Sequence, residues 1–403
     1  MPDLSSPERP RPTRKPPRTA CLAGMGIAHP PYRLTQPAAL NMALPRVAES
    51  QKQRDWTTRR YQHTGIGQRY SIFKTEADLP DDSQQPAELL TDFYPPTTDP
   101  RASPSTAERL QRYAIEAPTL VGRAASLALA DADLQPEQID HLVVVSCTGM
   151  SSPGVDLALI ERLGLRSDIS RTLIGFMGCH GAIDGLHAAR SIALAHPSDH
   201  VLLVCVEICT LHFQHGFRPS QIIANSLFGD AAAALVLTCP QAHSTHQPHE
   251  SLHSSLASGT VGLVDTATCT LPNTSDAMTW TVTDHGFQMT LDPGVPEAIR
   301  SHLKPWLDTW LQSHGIHREQ IAHWLLHPGG PRILDTLQQD LALSDDQLKP
   351  SRTVLHQIGN VSSGTVLFVL QEARRTPSIV PGPAVMLAFG PGLTMEAALL
   401  ELG

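Results

Sequence analysis

The sequence predicts an α/β protein in which sheets and helices form layers, with the layered unit present twice. Three observations support this prediction. Apolar, strand-like runs alternate with helical segments, one stretch of sequence recurs in the second half, and candidate reactive side chains stand where apolar runs end. Such alternation is typical of layered folds with functional groups at strand-to-helix junctions. With 403 residues, 41% of them hydrophobic, the chain is long enough for two such units.

The charge and the cysteine content exclude several classes of protein. A net charge of -9 and a pI near 6.1 argue against general nucleic-acid binding but leave room for a local basic pocket. Seven cysteines without a CxxC pair argue against a disulfide framework. No apolar run approaches the roughly 20 residues of a membrane span, and the N-terminus has no signal-peptide core. We therefore expect a cytoplasmic protein with no membrane span and no nucleic-acid partner.

Composition also divides the chain into segments. Residues 1–18 are rich in Pro, Arg and Lys, which predicts a disordered tail. Residues 19–239 and 256–403 are predicted as the two layered halves. Residues 240–255 are predicted as a linker or loop and carry His243, His246, His249 and His253. A metal site there is disfavoured, because Glu250 is the only acidic neighbour and two prolines prevent a helix that would align the histidines.

An internal repeat supports two related halves. The residues Glu-Gln-Ile followed by His occur at Glu137 to His141 and again at Glu319 to His323, an offset of 182 residues. Each copy follows a predicted helix, over 120–132 and 298–314, and leads into an apolar run that reads as a buried strand. An offset of this length suits a duplicated domain better than a solenoid.

Cys179 is the candidate nucleophile. It follows an apolar run, 172–177, and Gly178, and it opens a helical pattern. A thiol at a helix N-terminus faces unpaired N–H groups and the positive end of the helix dipole, so we expect its pKa to be lowered. Taken alone, a cysteine in such a place is more often a small core residue.

Two further side chains stand at comparable junctions. His327 ends an apolar run, and Asn360 opens a helical pattern. A histidine can activate a cysteine for attack on a thioester, and an amide and an imidazole can stabilise the resulting oxyanion or enolate. Alone, either residue is commonly structural, the asparagine as a helix N-cap. Together with Cys179 they suggest one thioester-handling site.

At these residues the chain resembles the type III polyketide synthases, the chalcone synthase-like branch of the thiolase fold. The resemblance runs from about Gly26 to Leu402. It rests on these motifs: Gly178-Cys179, Leu227-Phe228-Gly229-Asp230, His327-Pro328-Gly329-Gly330-Pro331, Gly359-Asn360-Val361-Ser362-Ser363 and Phe389-Gly390-Pro391-Gly392-Leu393-Thr394. It implies a duplicated αβαβα architecture and a homodimer. It also implies an acyltransferase that needs malonyl-CoA and an acyl-CoA starter as substrates and no metal or organic cofactor.

The resemblance assigns roles to single residues. Cys179 would carry the acyl chain, His327 and Asn360 would drive malonyl decarboxylation, and Phe228 would be a gatekeeper between the CoA tunnel and the cavity. Several further positions are expected to bind substrate: Met289, Cys147, His212, Ser362 and Arg59. Met289 stands where a second gatekeeping phenylalanine is usual, Cys147 replaces a cavity-wall threonine, and His212 and Trp280 replace smaller residues. Arg59 matches one position of the basic CoA site, whereas Trp56 and His63 occupy the other two.

Three functions remain open on the sequence. The preferred one is iterative condensation that ends in a pyrone or resorcinol, with a fatty acyl-CoA starter favoured and a malonyl starter as an alternative. A second is a single-condensation enzyme of the 3-oxoacyl-carrier-protein synthase III kind. A third is a non-catalytic thiolase-fold partner subunit, which the presence of Cys179, His327 and Asn360 argues against.

Overall fold

The computed structural model describes residues 19–74, 90–240, 260–375 and 380–403. The predicted tail over 1–18 and nearly all of the His-rich segment over 240–255 lie outside these residues. The N-terminal half contains, in order, β1 (Ala20–Ala28), β2 (Tyr32–Thr35), α1 (Gln36–Val47), α2 (Gln51–Gln62), β3 (Gln68–Ser71), α3 (Leu90–Phe93), α4 (Thr106–Asp131), β4 (His141–Ser146), α5 (Val155–Leu163), β5 (Ser170–Gly175), α6 (Gly181–Ala195), β6 (Val201–Ile208), α7 (Pro219–Leu227) and β7 (Asp230–Thr238). The C-terminal half contains β8 (Val261–Thr270), β9 (Met278–Thr283), β10 (Gly286–Leu291), α8 (Val295–Gln312), β11 (His323–Leu326), α9 (Pro331–Leu341), α10 (Asp345–Ile358), α11 (Thr365–Arg374), β12 (Gly382–Gly390) and β13 (Thr394–Leu402).

Nine strands form one mixed sheet, and its order displays the duplication. The order is β11-β12-β13-β8-β1-β7-β6-β4-β5. The two halves follow the same order outward from the β8–β1 contact. The N-terminal half runs β1, β7, β6 and the C-terminal half runs β8, β13, β12, which in each half is the first strand, the last and the second to last. They meet through three antiparallel residue pairs between β1 and β8. The repeated Glu-Gln-Ile stretches are 3-10 turns over Pro136–Gln138 and Arg318–Gln320, which lead into β4 and β11.

The core has five layers because the sheet wraps around two central helices. Consecutive residues of a strand face opposite sides. In β4, Val143 and Val145 pack in a cluster with α6 and α11, whereas Leu142 and Val144 pack in a second cluster with α4 and α5. A third cluster joins the other face of β12 and β13 to α8, α9 and α10. The layers are therefore helix, sheet, helix, sheet, helix, which confirms the predicted architecture.

The central helices position the functional residues. Cys179 immediately precedes α6 and Asn360 lies shortly before α11, so both stand where the central layer begins. The β9–β10 hairpin and the β2–β3 hairpin lie outside the main sheet. Within the described ranges, no helix is both long and apolar enough to cross a bilayer.

Candidate active site

A strained turn presents Cys179. After β5 the backbone takes a positive φ at Phe176 (60°) and at Gly178 (72°), and a 3-10 turn over Gly178–His180 then leads into α6. A positive φ is costly for a bulky residue such as phenylalanine, so the surrounding structure must hold this turn in place. The sharp change of direction puts the Cys179 side chain on the wall of a cavity.

A related turn presents Asn360. Gly359 has a φ of 76° and Ser362 a φ of 48°, and a 3-10 turn over Ser362–Gly364 leads into α11. The Asn360 backbone forms a bridge with Phe228, in which Gly229 N–H donates to the Asn360 carbonyl at 2.9 Å. The side-chain oxygen of Asn360 accepts from Ser362 N–H at 2.9 Å and from the Thr365 hydroxyl at 3.3 Å. These bonds fix the amide beside Cys179, whose Sγ lies 3.8 Å from the amide nitrogen and 3.9 Å from the amide oxygen.

His327 directly follows β11, and its backbone N–H donates to the Leu387 carbonyl at 2.8 Å. Its side chain is 1% exposed, and neither ring nitrogen has a hydrogen-bond partner among the described residues. Burial and the neighbouring His180 lower the pKa of His327 to about 3, so the ring is neutral near pH 7. A neutral imidazole offers one donor and one acceptor, and here both are available to a substrate.

The three residues meet in one cavity of about 310 Å³. The Cys179 Sγ lies 3.8 Å from the Asn360 amide nitrogen and 4.0 Å from the Ser362 hydroxyl. The remaining wall is mainly apolar and includes Ile223, Leu227, Met278, Leu291, Val295, Ile299, Ile333 and Phe389. The thiol, the imidazole and the amide predicted from the sequence therefore line one cavity whose wall is mainly apolar.

The expected lowering of the Cys179 pKa is wrong for this conformation. Burial raises the pKa of the thiol to about 12, and the contacts with Asn360 and Ser362 offset only part of that effect. The physical reason is desolvation, which disfavours the thiolate and which a sequence motif does not display. The resting pair is thus a thiol and a neutral imidazole.

Phe228 and Met289 lie at a constriction. Both line the main cavity and also an inner pocket of about 40 Å³, together with Met278 and Cys179. Met289 is in β10, directly opposite Trp280 of β9, and Gln221 donates to its carbonyl at 2.8 Å. The two residues predicted as gatekeepers therefore line both the larger and the smaller space.

Cys147 and Ser362 line the inner pocket. The Cys147 Sγ accepts from Gly178 N–H at 3.0 Å, which couples this thiol to the turn that carries Cys179. The Cys147 N–H and the hydroxyls of Thr148 and Ser363 all donate to the carboxylate of Glu207. Glu207 is fully buried, and desolvation raises its pKa to about 7 despite these bonds.

Trp280 lines the inner pocket, and His212 lies behind it. The His212 ring donates from Nε2 to the Thr148 carbonyl at 2.7 Å and accepts at Nδ1 from Phe287 N–H at 3.0 Å, which fixes its tautomer. Burial lowers the pKa of His212 to about 3. The Trp280 indole N–H donates to the Cys147 carbonyl at 2.7 Å. Both predicted wall residues are thus held rigidly, with His212 behind the wall in a second small pocket.

Basic residues stand at the open end of the main cavity, but Arg59 is not one of the lining residues. Arg60, His63 and Arg332 line the cavity and are exposed. Arg59 is exposed on α2 one position away. The basic pocket for a phosphorylated substrate stays a prediction, and the structure places Arg60 rather than Arg59 on the cavity wall.

Sequence reasoning missed several residues of the site. Arg332 directly follows the His327-to-Pro331 motif, and its position next to that motif could have identified it. Glu207 is the one acidic residue in the apolar run of β6, and an acid in such a run could also have been recognised from the sequence. Next to Cys179, His180 pairs with Asp184 at 2.6 Å, and Glu396 faces both. Burial and Asp184 raise the pKa of Glu396 to about 7.

Comparison with known protein families gives matches over most of the chain. Residues 82–240 match the N-terminal domain of chalcone and stilbene synthases, and residues 262–402 match their C-terminal domain. The chain is 34% identical over 283 residues to 1,3,6,8-tetrahydroxynaphthalene synthase of Streptomyces peucetius subsp. caesius, which covers 70% of this chain and 72% of that protein. It is 32% identical over 307 residues to the alpha-pyrone synthesis polyketide synthase-like Pks18 of Mycobacterium tuberculosis, covering 75% of each.

A third relative is much longer. The probable polyketide synthase 1 of Dictyostelium discoideum is 33% identical over 289 residues, which is 70% of this chain but 9% of that protein. Among solved structures, PKS-I from the brown alga Ectocarpus siliculosus superposes with a TM-score of 0.84 at 30% identity, covering 97% of this chain and 100% of that one.

Proposed function

The chain belongs to the chalcone and stilbene synthase family of type III polyketide synthases, and from that premise we propose that it extends an acyl-CoA starter repeatedly with malonyl-CoA. The observation that carries the proposal is the convergence of Cys179, His327 and Asn360 on one apolar cavity with basic residues at its mouth. The chemistry that follows uses only these side chains, and we propose that it needs no metal or organic cofactor.

In the loading step, the Cys179 sulfur attacks the thioester carbonyl of the starter. His327 accepts the thiol proton and returns it to the departing CoA sulfur, so an acyl-enzyme and free CoA result. Because both ring nitrogens of His327 lack hydrogen-bond partners among the described residues, its N–H can instead donate to the carbonyl oxygen in the tetrahedral state.

In the extension step, malonyl-CoA loses carbon dioxide and the electron pair of the broken bond forms an enolate. The His327 N–H and the Asn360 amide NH₂ stabilise the negative oxygen. The enolate carbon then attacks the acyl carbonyl, a carbon–carbon bond forms, and the Cys179 thiolate leaves. The lengthened chain is on CoA and reloads onto Cys179 for the next round.

The cavity supports this reaction in two further ways. Arg60 and Arg332 supply positive charge at the opening, where the phosphates of CoA would lie, and His63 adds a ring nitrogen there. The apolar wall excludes water, which protects the enolate and the poly-β-keto chain from side reactions.

For the starter, we propose a fatty acyl-CoA and a pyrone or resorcinol product. The flexible thioethers of Met278 and Met289 adapt to apolar chains of different shape. The main cavity offers about 310 Å³ of mostly apolar space beside Cys179. The relative named for alpha-pyrone synthesis, 32% identical, supports the same product class.

A malonyl starter is the second candidate, because one observation favours it. The inner pocket behind Phe228 and Met289 measures about 40 Å³, and Trp280 closes it. A short starter fits such a space better than a long chain. The relative named tetrahydroxynaphthalene synthase, 34% identical, supports this reading.

The test is mass spectrometry of products from the purified chain given malonyl-CoA alone, then with acetyl-, aromatic and long-chain acyl-CoA. We expect cyclised products of several extensions from long-chain starters. Product from malonyl-CoA alone would favour the second candidate. A single β-keto thioester would favour the 3-oxoacyl-carrier-protein synthase III reading. If acyl-CoA failed to protect Cys179 from iodoacetamide and no starter gave product, the function would be refuted in favour of a non-catalytic subunit.

We further propose that the chain forms a homodimer through β5. This strand is the edge of the nine-stranded sheet and is exposed along most of its length, with Leu173 61% exposed. An exposed apolar edge strand is a template for pairing with another chain. Light scattering of the wild type should give twice the mass of one chain. Leu173→Lys should shift the measured mass toward that of the monomer. The control Leu157→Lys, on α5 at a position that is 41% exposed, should leave the mass unchanged. A monomeric wild type would contradict the proposal.

We also propose that the protein is located in the cytoplasm. All seven cysteines are free, which suits a reducing compartment. Cell fractionation with the enzyme activity as the marker would test it, and activity confined to the membrane fraction would contradict it.

A further inference from the structure

A compact group of three potential metal ligands lies behind the nucleophile. His180, Asp184 and Glu396 each offer one ligand atom, and these atoms lie within 4.8 Å of one another. They come from the turn before α6, from α6 itself and from β13. His180 is 4% exposed and Glu396 3% exposed, while the Asp184 side chain is 22% exposed and leaves a route to solvent.

The hydrogen bonds of the group leave ligand atoms free. The His180 Nδ1 is 2.6 Å from an Asp184 oxygen, and Glu396 accepts one bond, from the Thr268 hydroxyl at 2.9 Å. Within the described parts of the chain, the His180 Nε2 and the second oxygen of Glu396 have no hydrogen-bond partner. Glu396 is thus 97% buried with one hydrogen-bond partner, and one of its oxygens lies within 4.8 Å of a ligand atom of both neighbours.

The two acidic residues of the group also favour a bound cation. A histidine–aspartate pair is a common buried arrangement and would explain His180 and Asp184 without Glu396. Glu396 brings a second carboxylate into the same space, and no Lys or Arg of the described residues forms an ion pair with either acid. Two acidic side chains that share a mostly buried space without a Lys or Arg partner suit a divalent cation.

We propose that His180, Asp184 and Glu396 bind one divalent transition-metal ion, for which Zn²⁺ is the best match. One imidazole nitrogen and two carboxylate oxygens, with solvent at the remaining position, form a donor set that Zn²⁺ accepts, and its ligands stand 2.0 to 2.2 Å from the ion at typical geometry. The site is separate from the proposed condensation chemistry, for which we propose no metal. It would place a fixed positive charge beside the turn that carries Cys179.

The test is Zn²⁺ titration of the full chain by calorimetry after treatment with EDTA. The chain has 20 histidines, so the parent carries His243, His246, His249 and His253 replaced by alanine to remove competing sites. We expect one Zn²⁺ per chain and at least about tenfold weaker binding in Glu396→Gln and in Asp184→Asn, which are nearly isosteric. The matched control is His187→Ala, on α6 and exposed, which should bind as the parent does.

The outcomes separate the possibilities. Zn²⁺ affinity unchanged in both variants, or no binding by the parent, would overturn the site. Co²⁺ absorption gives a second readout if a variant fails to fold: a spectrum without a thiolate charge-transfer band is expected, whereas a thiolate band would assign the ion to a cysteine and overturn the proposal. Product formation by EDTA-treated parent tests the polyketide reaction independently.

Discussion

The turns that carry Cys179 and Asn360 are built alike and secured differently. Each has two positive-φ residues, one of them glycine, followed by a 3-10 turn and a central helix. The Asn360 turn is held by backbone bonds to Leu227 and Gly229 of the other half and by two bonds to its amide oxygen. The Cys179 turn follows the exposed edge strand β5, and the thiol has only contacts of 3.8 Å or more. One turn fixes its side chain, and the other leaves its sulfur free to form and break bonds.

Replacing Cys179 should have the largest effect on product formation. Cys179→Ala removes the acyl carrier, so product formation should fall by at least about four orders of magnitude, as expected for loss of a nucleophile. Product mass spectrometry measures this directly. Cys269→Ala, on β8 and outside the cavity, should leave output unchanged. Substantial extended product from the Cys179 variant would break the assignment of roles to the two turns.

The fixed amide should matter for a different half-reaction. Asn360→Ala should slow malonyl decarboxylation by about 10² to 10³, because one donor to the developing negative oxygen is lost, and should affect starter loading less. Carbon dioxide release and acyl-enzyme formation are measured separately. Thr365→Val keeps the amide but removes a hydroxyl bond to its oxygen, so its loss should be smaller. Equal damage to both half-reactions in the Asn360 variant would contradict the proposed role.

The backbone of both turns can be tested through their glycines. An added Cβ would meet Pro391 at 2.5 Å for Gly178 and the Leu227 carbonyl at 3.0 Å for Gly359, in addition to the positive φ. Alanine at either position should lower the free energy of unfolding by about 2 to 4 kcal/mol. Gly164→Ala and Gly315→Ala are matched controls with similar φ and no atom within 4 Å, so they should cost about 1 kcal/mol. Chemical denaturation measures the difference, and equal costs at all four sites would show that the contacts do not matter.

The smallest effect concerns the carboxylate that joins the halves. Glu207 of β6 accepts from Ser363 of the Asn360 motif, and its pKa is raised from 4.5 to about 7. The folded state therefore binds a proton more tightly than the unfolded state, and this group's stabilisation is complete below pH 4.5 and is lost as pH rises through 7. Glu207→Gln should remove a dependence on the order of 3 kcal/mol across that window. Unfolding of the wild type and the variant at several pH values measures it, and parallel pH profiles would contradict it.

The sequence predicted the layered fold because its signals are local. The repeat at Glu137 and Glu319 and the apolar runs before Cys179 and His327 are short patterns, and each became the element expected. Arg60 rather than Arg59 lines the cavity because of the way α2 packs on the rest of the protein, and no pattern within α2 predicts that packing. The pKa of Cys179 depends on how deeply tertiary packing buries it. His180 and Glu396 lie close together although they are more than 200 positions apart, and no local sequence pattern near either residue predicts this proximity.

The pairing of β1 has a consequence for how the protein is made. Cys21 of β1 lies opposite Thr238 of β7, so this strand has no partner until more than 200 further residues exist. At a synthesis rate of about 5 to 20 residues per second, the apolar β1 segment would wait about 10 to 40 s on the ribosome. Loop-closure entropy then opposes its docking, so formation of this sheet should be slow. Newly made chains should therefore depend on chaperones, and slower synthesis at low temperature should raise the folded yield.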